Sequence, residues 1–163
     1  IEGVPLLRKV LPFGAYDEGW ALYAERVAKV DMGFYDADPL GDLGRLQAEM
    51  FRAVRLVVDT GMHAKRWSRE QSIEYMVART GMPEAEVTRE IERYVVWPGQ
   101  AASYKVGQLA MLRLREQAEK ELGPKFDLRD FHEVILMNGP MPLAVLEDVV
   151  QEWIKAQQAK PSA

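Results

Sequence analysis

The stretch Gln100-Ala101-Ala102-Ser103-Tyr104-Lys105-Val106-Gly107-Gln108-Leu109-Ala110-Met111, continued to Leu122, decides the fold. Tyr104, Gly107, Met111, Leu114, Ala118 and Leu122 recur at three- and four-residue steps, the period of one helical face. Ala102, Val106, Leu109 and Ala110 make a second apolar face in the N-terminal half. A helix that is apolar on two faces has neighbours on both, so residues 100–122 are expected at the centre of an all-α bundle. Pro98-Gly99 punctuates the chain before this helix and Gly123-Pro124 after it.

Working outward, residues 43–66 read as a long helix with Leu43, Leu46, Met50, Val54 and Val57 as its buried stripe. Arg52, Arg55, Asp59, His63 and Arg66 fall opposite, and Gly61 marks a kink costing about 1 kcal/mol relative to Ala. Ser68 with Gln71 is a capping box for a helix over 69–80, carrying Ile73, Met76 and Val77 inward. Pro83 opens a helix over 83–96 with Val87, Ile91, Tyr94 and Val95 buried. Downstream, Asp127 caps a helix over 128–137, and Pro142 starts a last one with Leu143, Leu146, Val149, Val150, Trp153 and Ile154 inward.

Towards the N-terminus, Asp17 is expected to cap a helix over 17–32, followed by a loop over 33–42 broken by Asp36, Asp38, Pro39 and Gly41. A short helix near 4–11 is broken at Pro12. No strand pattern or internal repeat is present, and the expected architecture is a multi-helix bundle of about seven helices around the buried 100–122 element. The organisation is a linker remnant over 1–16, one helical domain over 17–157 and a polar tail over 158–163.

The 163 residues suffice for one domain with its own core. A net charge of −4 with no basic stripe gives no reason to expect nucleic acid as a partner. With no cysteine there is no disulfide or thiolate metal site, and no run of 18 apolar residues is present to span a membrane. No signal peptide is visible, and the compartment does not follow from the sequence. Ile1-Glu2-Gly3-Val4-Pro5 reads as an internal start, so the chain is expected to be the C-terminal part of a longer protein.

Candidate chemistry begins with Glu18, Leu22, Glu25 and Lys29, which share one stripe of the first long helix, opposite Trp20, Ala24 and Val27. A solvated acidic face with a Glu25–Lys29 pair accounts for the charges but not for Leu22 among them. The only histidines, His63 and His132, lie 69 positions apart, so the chain has no pair spaced four apart on a helix as a self-contained zinc peptidase requires.

The words Glu18-Gly19-Trp20-Ala21-Leu22-Tyr23 resemble the EGWALY signature of a bacterial family of unknown function, the DUF885 group. The resemblance continues through Asp59-Thr60-Gly61-Met62-His63, Trp67-Ser68-Arg69-Glu70-Gln71, Pro98-Gly99-Gln100-Ala101, Ser103-Tyr104-Lys105, Phe131-His132 and Asn138-Gly139. Members resemble gluzincin metallopeptidases, with an HExxPGH-type zinc helix upstream. The resemblance implies that this chain is the C-terminal helical part of a zinc metallopeptidase-like hydrolase. Glu18 would be the third metal ligand, a hard oxygen beside two imidazoles. Zinc would belong to the full-length protein and be absent or weakly bound here, because one carboxylate is not a site. The implied partners are an upstream domain of the same protein and a peptide-like substrate, with a homodimer possible through the truncated face.

Within that frame Tyr104 is the expected donor to an oxyanion, against the alternative of a core tyrosine. Lys105 and Gln100 stand near the same helix start as partners for a substrate carboxylate. Arg55, Asp59 and His63, four apart, project together; Asp59 is expected to orient the His63 ring, although an exposed His63 fits the pattern as well. His132 is a candidate substrate contact or a packed neutral histidine, and packing explains Trp67, Trp97 and Trp153. Two other classes remain open: a helical binding module whose Arg52, Arg55, Asp59, His63 and Arg66 grip an acidic partner, and a structural bundle. An HExxH-like motif upstream of Ile1 would favour the enzyme.

Overall fold

A computed structural model describes residues 3–160. Among them are eight α-helices and no strand: α1 (Leu6–Val10), α2 (Gly14–Val30), α3 (Pro39–Lys65), α4 (Arg69–Thr80), α5 (Glu84–Val96), α6 (Gln100–Leu122), α7 (Leu128–Met137) and α8 (Leu143–Ala159). The expected all-α bundle is present, and α6 is its axis, packed against α2, α3 and α8.

Two apolar cores lie along α6. The first joins Val54 and Val58 of α3, Ile73 and Met76 of α4, and Val87, Ile91 and Tyr94 of α5 to Ala101 at the start of α6. The second joins Tyr16 and Tyr23 of α2, Phe131 and Ile135 of α7, and Leu146, Val150 and Ile154 of α8 to Met111, Leu114, Ala118 and Leu122. The expected first stripe of α6 is thus the spine of the second core, through Met111, Leu114, Ala118 and Leu122, while the first core takes Ala101 from outside that stripe. Ser68 accepts from the Gln71 N–H while the Gln71 side chain accepts from the Ser68 N–H, which is the capping box read from the sequence.

The backbones of α2 and α6 meet at Gly19 and Gly107. A Cβ on Gly19 would lie 2.6 Å from the Gly107 carbonyl carbon, and one on Gly107 would lie 2.6 Å from the Gly19 Cα and clash with the Ala15 carbonyl oxygen. Only glycine on both sides lets the backbones touch. The Leu22 carbonyl, one turn on, accepts from the buried Gln108 amide at 3.1 Å, and Leu22 itself is buried, which is why an apolar residue stands among the charged ones.

Several expectations are corrected. The apolar residues of α3 do not all face inward: its buried residues are Val54, Arg55, Val58, Asp59 and Gly61, while Leu43, Leu46, Met50 and Val57 are exposed. The second face of α6 is also uncovered at Val106 and Leu109, as are Val95 and Trp97 at the end of α5. Hydropathy marks such positions for burial, but nothing among the described residues covers them. Asp38 caps α3 through the Gly41 N–H with Pro39 in the first turn, so the second half of the expected loop is helix. Asp17 is not a cap, because α2 already begins at Gly14. Gly61 does not interrupt α3; the Trp67 indole packs where its side chain would be, 2.6 Å from the Cβ position. Lys29 pairs with Asp36 at 3.1 Å rather than with Glu25.

Candidate functional site

The α5–α6 corner gathers most of the expected site residues. Gly99, with φ of 83°, turns the chain into α6. Its N–H donates to both Asp59 oxygens, at 3.0 and 3.1 Å. His63 places Nε2 at 2.9 Å from the Tyr94 carbonyl oxygen. A carbonyl only accepts, so Nε2 carries the hydrogen. The expected Asp59–His63 contact is therefore replaced by two separate ties from α3 to this corner.

Behind the corner lies a group of cations. The Arg55 side chain is buried; its Nη2 donates to Gln100 Oε1 at 3.0 Å, and its guanidinium lies 4.5 Å from the centre of the Tyr104 ring. The Arg52 guanidinium lies 5.3 Å from the same ring. Arg93 also reaches Gln100 Oε1, at 3.4 Å, and donates to Glu90 at 2.6 Å, where the Tyr94 hydroxyl donates too. Burial would raise the Glu90 carboxyl, but Tyr94 and Arg93 hold it below its usual range. Burial, and then the Glu90 charge, push the Tyr94 phenol up. Sequence reasoning did not single out Glu90, Arg93 or Tyr94 for chemistry; the i, i+3 and i+4 spacing from Glu90 was the available signal.

Lys105 is committed elsewhere. It donates to Glu49 Oε1 and to Gln108 Oε1, both at 2.7 Å, and Glu49 also accepts from Arg45 at 3.0 Å. Burial opposes ionisation of Glu49, yet Lys105 and Arg45 keep its carboxyl below the usual range. The lysine ties α3 to α6 instead of offering a charge to a ligand.

Glu18 is half-buried next to Gly19, at the glycine crossing, and Gly107 on the other side follows Tyr104 by about one helical turn. Among the described residues its carboxylate has no ion pair or hydrogen bond within the chain. His132 lies apart from this group. Its Nε2 is 2.9 Å from the Tyr23 hydroxyl, and its ring meets Trp20 and Tyr23 edge to face at 5.4 and 5.5 Å. Burial, and then the Arg115 charge, lower its pKa, with Asp31 opposing, so it is a packed neutral imidazole.

The structure thus assembles Arg55, Asp59, His63, Gln100 and Tyr104 at one corner, sets Lys105 in a separate ion pair and puts His132 in an aromatic cluster. Among the described residues no three metal-capable side chains come together. The donors present do not by themselves fit a zinc ion, and Glu18 offers one oxygen ligand at most.

Residues 1–150 match the family described as "Bacterial protein of unknown function (DUF885)". No curated protein matches the chain. The solved structure described as "the putative lipoprotein from Colwellia psychrerythraea" is similar with a TM-score of 0.89 and 60% sequence identity, over 93% of this chain and 26% of that one. The chain therefore spans about a quarter of that relative's length.

Proposed function

The chain belongs to the DUF885 family, and from that premise we propose that it is a helical portion of a zinc peptidase-like hydrolase, completed by an upstream part of the same polypeptide. Its contribution is the Glu18 carboxylate as one metal ligand and the α3–α6 corner as a wall facing a peptide-like substrate. The observation that carries this reading is the state of Glu18: half-buried, unpaired among the described residues, and next to a crossing that tolerates only glycine. A half-buried carboxylate with no partner among the described residues is available to ligate a cation that another part of the polypeptide helps to hold. The imidazoles and the general base are expected from the upstream part, since this chain supplies neither. When bound, zinc would polarise a carbonyl and lower the pKa of its water.

Exposed Leu43, Leu46, Met50, Val57, Val106 and Leu109 support the existence of a covering partner. The proposed occupant is that upstream part, in keeping with a relative almost four times longer than its matched segment. Tyr104 is the proposed donor to the developing oxyanion, with a hydroxyl that makes no hydrogen bond among the described residues. The test is the longer polypeptide with Glu18→Gln: zinc content and peptide hydrolysis should both be lost, while the melting temperature of the metal-free protein is kept. Full zinc occupancy in that variant would remove Glu18 from the ligand set.

A further inference from the structure

The guanidiniums of Arg52 and Arg55 have a feature that their packing leaves unexplained. Both Nε atoms are buried with no hydrogen-bond partner. Arg55 as a whole is 4% exposed, so its charge has been taken out of water almost completely. Neither arginine forms an ion pair among the described residues. The acidic groups of this corner are spent: Asp59 on the Gly99 N–H, and Glu90 on Arg93 and Tyr94. Both guanidiniums flank the Tyr104 ring, which offsets part of the desolvation through its π face but accepts no N–H in the ring plane. Both also lie over the Phe51 ring, at 5.1 and 5.4 Å, yet two like charges with orphaned Nε groups and no ion pair among the described residues are an incomplete arrangement.

We propose that Arg52, Arg55 and the Tyr104 hydroxyl receive the free C-terminal carboxylate of a short peptide. Guanidiniums match a carboxylate with two parallel N–H donors each, and a phenol adds one more. Arg52 and Tyr104 are half-exposed and form the open side, while Arg55 is the buried floor, positioned by Gln100. The inference rests on the hydrolase reading and sharpens it to a substrate class. Gly107, at the crossing next to Glu18, follows Tyr104 by about one turn of α6, so the arginine corner and the crossing are neighbours along one helix. A peptide anchored by its carboxyl end would thus present a bond close to that end to the metal side. The expected action is trimming of short peptides from the C-terminus.

The test needs no metal, so its failure is separable from failure of the Glu18 reading. The 163-residue chain, labelled with nitrogen-15, is titrated with N-acetyl-Ala-Ala and with the corresponding C-terminal amide, following arginine Nε–H resonances. The acid should shift the Arg52 and Arg55 signals and bind at least roughly tenfold more tightly than the amide, as a charge-assisted contact requires. Arg52→Gln should abolish the preference with the fold retained by circular dichroism, and Tyr104→Phe should weaken it. Arg55→Gln disturbs a buried, packed side chain, so the Arg52 variant and the acid–amide comparison decide. Equal binding of acid and amide, shifts confined to other arginines, or no binding of either would overturn the proposal. So would acetate or inorganic phosphate binding as tightly as the peptide acid, which would mark a general anion site.

Discussion

Gly107→Ala is the sharpest test of how the site is held. The added methyl would lie 2.6 Å from the Gly19 Cα and 3.0 Å from the Ala15 carbonyl carbon, both backbone atoms of α2. Ordinary carbon–carbon contact is about 3.5–4.0 Å, so the helices must separate by roughly 1 Å. Overpacking typically costs about 1–3 kcal/mol, and a backbone-on-backbone clash belongs at the upper end. Alanine returns about 1 kcal/mol of helix propensity. The net loss is then about 2 kcal/mol, or roughly 4–8 °C in Tm for a domain of this size. Urea and thermal unfolding followed by circular dichroism read it directly. Gly44→Ala is the matched control: it is also inside a helix but meets nothing within 4 Å, so it should gain up to about 1 kcal/mol. Gly19→Ala should resemble Gly107→Ala, and the double variant should cost less than the sum, because one displacement accommodates both methyls. If Gly107→Ala stabilises the chain as Gly44→Ala does, the crossing is not as close as described and Glu18 is not fixed by it.

Further predictions concern the outer surface and the aromatic cluster. Leu43→Gln and Met50→Gln, at positions 62% and 52% exposed, should change the stability of this chain by no more than about 0.5 kcal/mol, whereas buried positions would cost about 2–5; urea midpoints decide. His132 titrates below its usual value in the folded state, so between that value and about 6.5 the unfolded chain holds more protons. Stability should therefore fall as pH drops through this window, and His132→Gln should flatten the fall in thermal melts; an unchanged slope would contradict the packed neutral imidazole. Lys105→Met removes the partner of Glu49 at 2.7 Å. It should destabilise the chain by about 1–3 kcal/mol, because the buried Gln108 Oε1 loses its donor and Glu49 keeps only Arg45, with acid-over-amide peptide binding retained; loss of that preference would return Lys105 to the ligand site.

The fold was largely legible because α6 carries its apolar residues at helical steps and because Ser68, Gln71, Asp127 and the Pro-Gly pairs punctuate the chain with local chemistry. Local rules failed where the partner is distant in sequence or where nothing described covers an apolar residue. Leu43, Leu46 and Met50 look like core residues by hydropathy, but nothing in the described residues covers them. Arg55 and Asp59 look like a solvated face, but Gln100 and the Gly99 N–H receive them forty or more positions away. Spacing alone suggested that Asp59 orients His63, and a turn that only the folded corner creates takes the carboxylate instead. The Gly19–Gly107 contact is equally invisible locally, since each glycine looks merely permissive until the other is placed against it.

The central claim is that Glu18 is one ligand of a zinc ion whose other ligands come from the upstream part of the polypeptide. Anomalous diffraction at the zinc edge from crystals of the longer, zinc-loaded protein measures it most directly. The account predicts a peak about 2.0–2.2 Å from a Glu18 oxygen, with the Tyr104 hydroxyl opening onto the same cavity. A peak remote from Glu18, or a Glu18 carboxylate turned into bulk solvent beside an intact metal site, would contradict it.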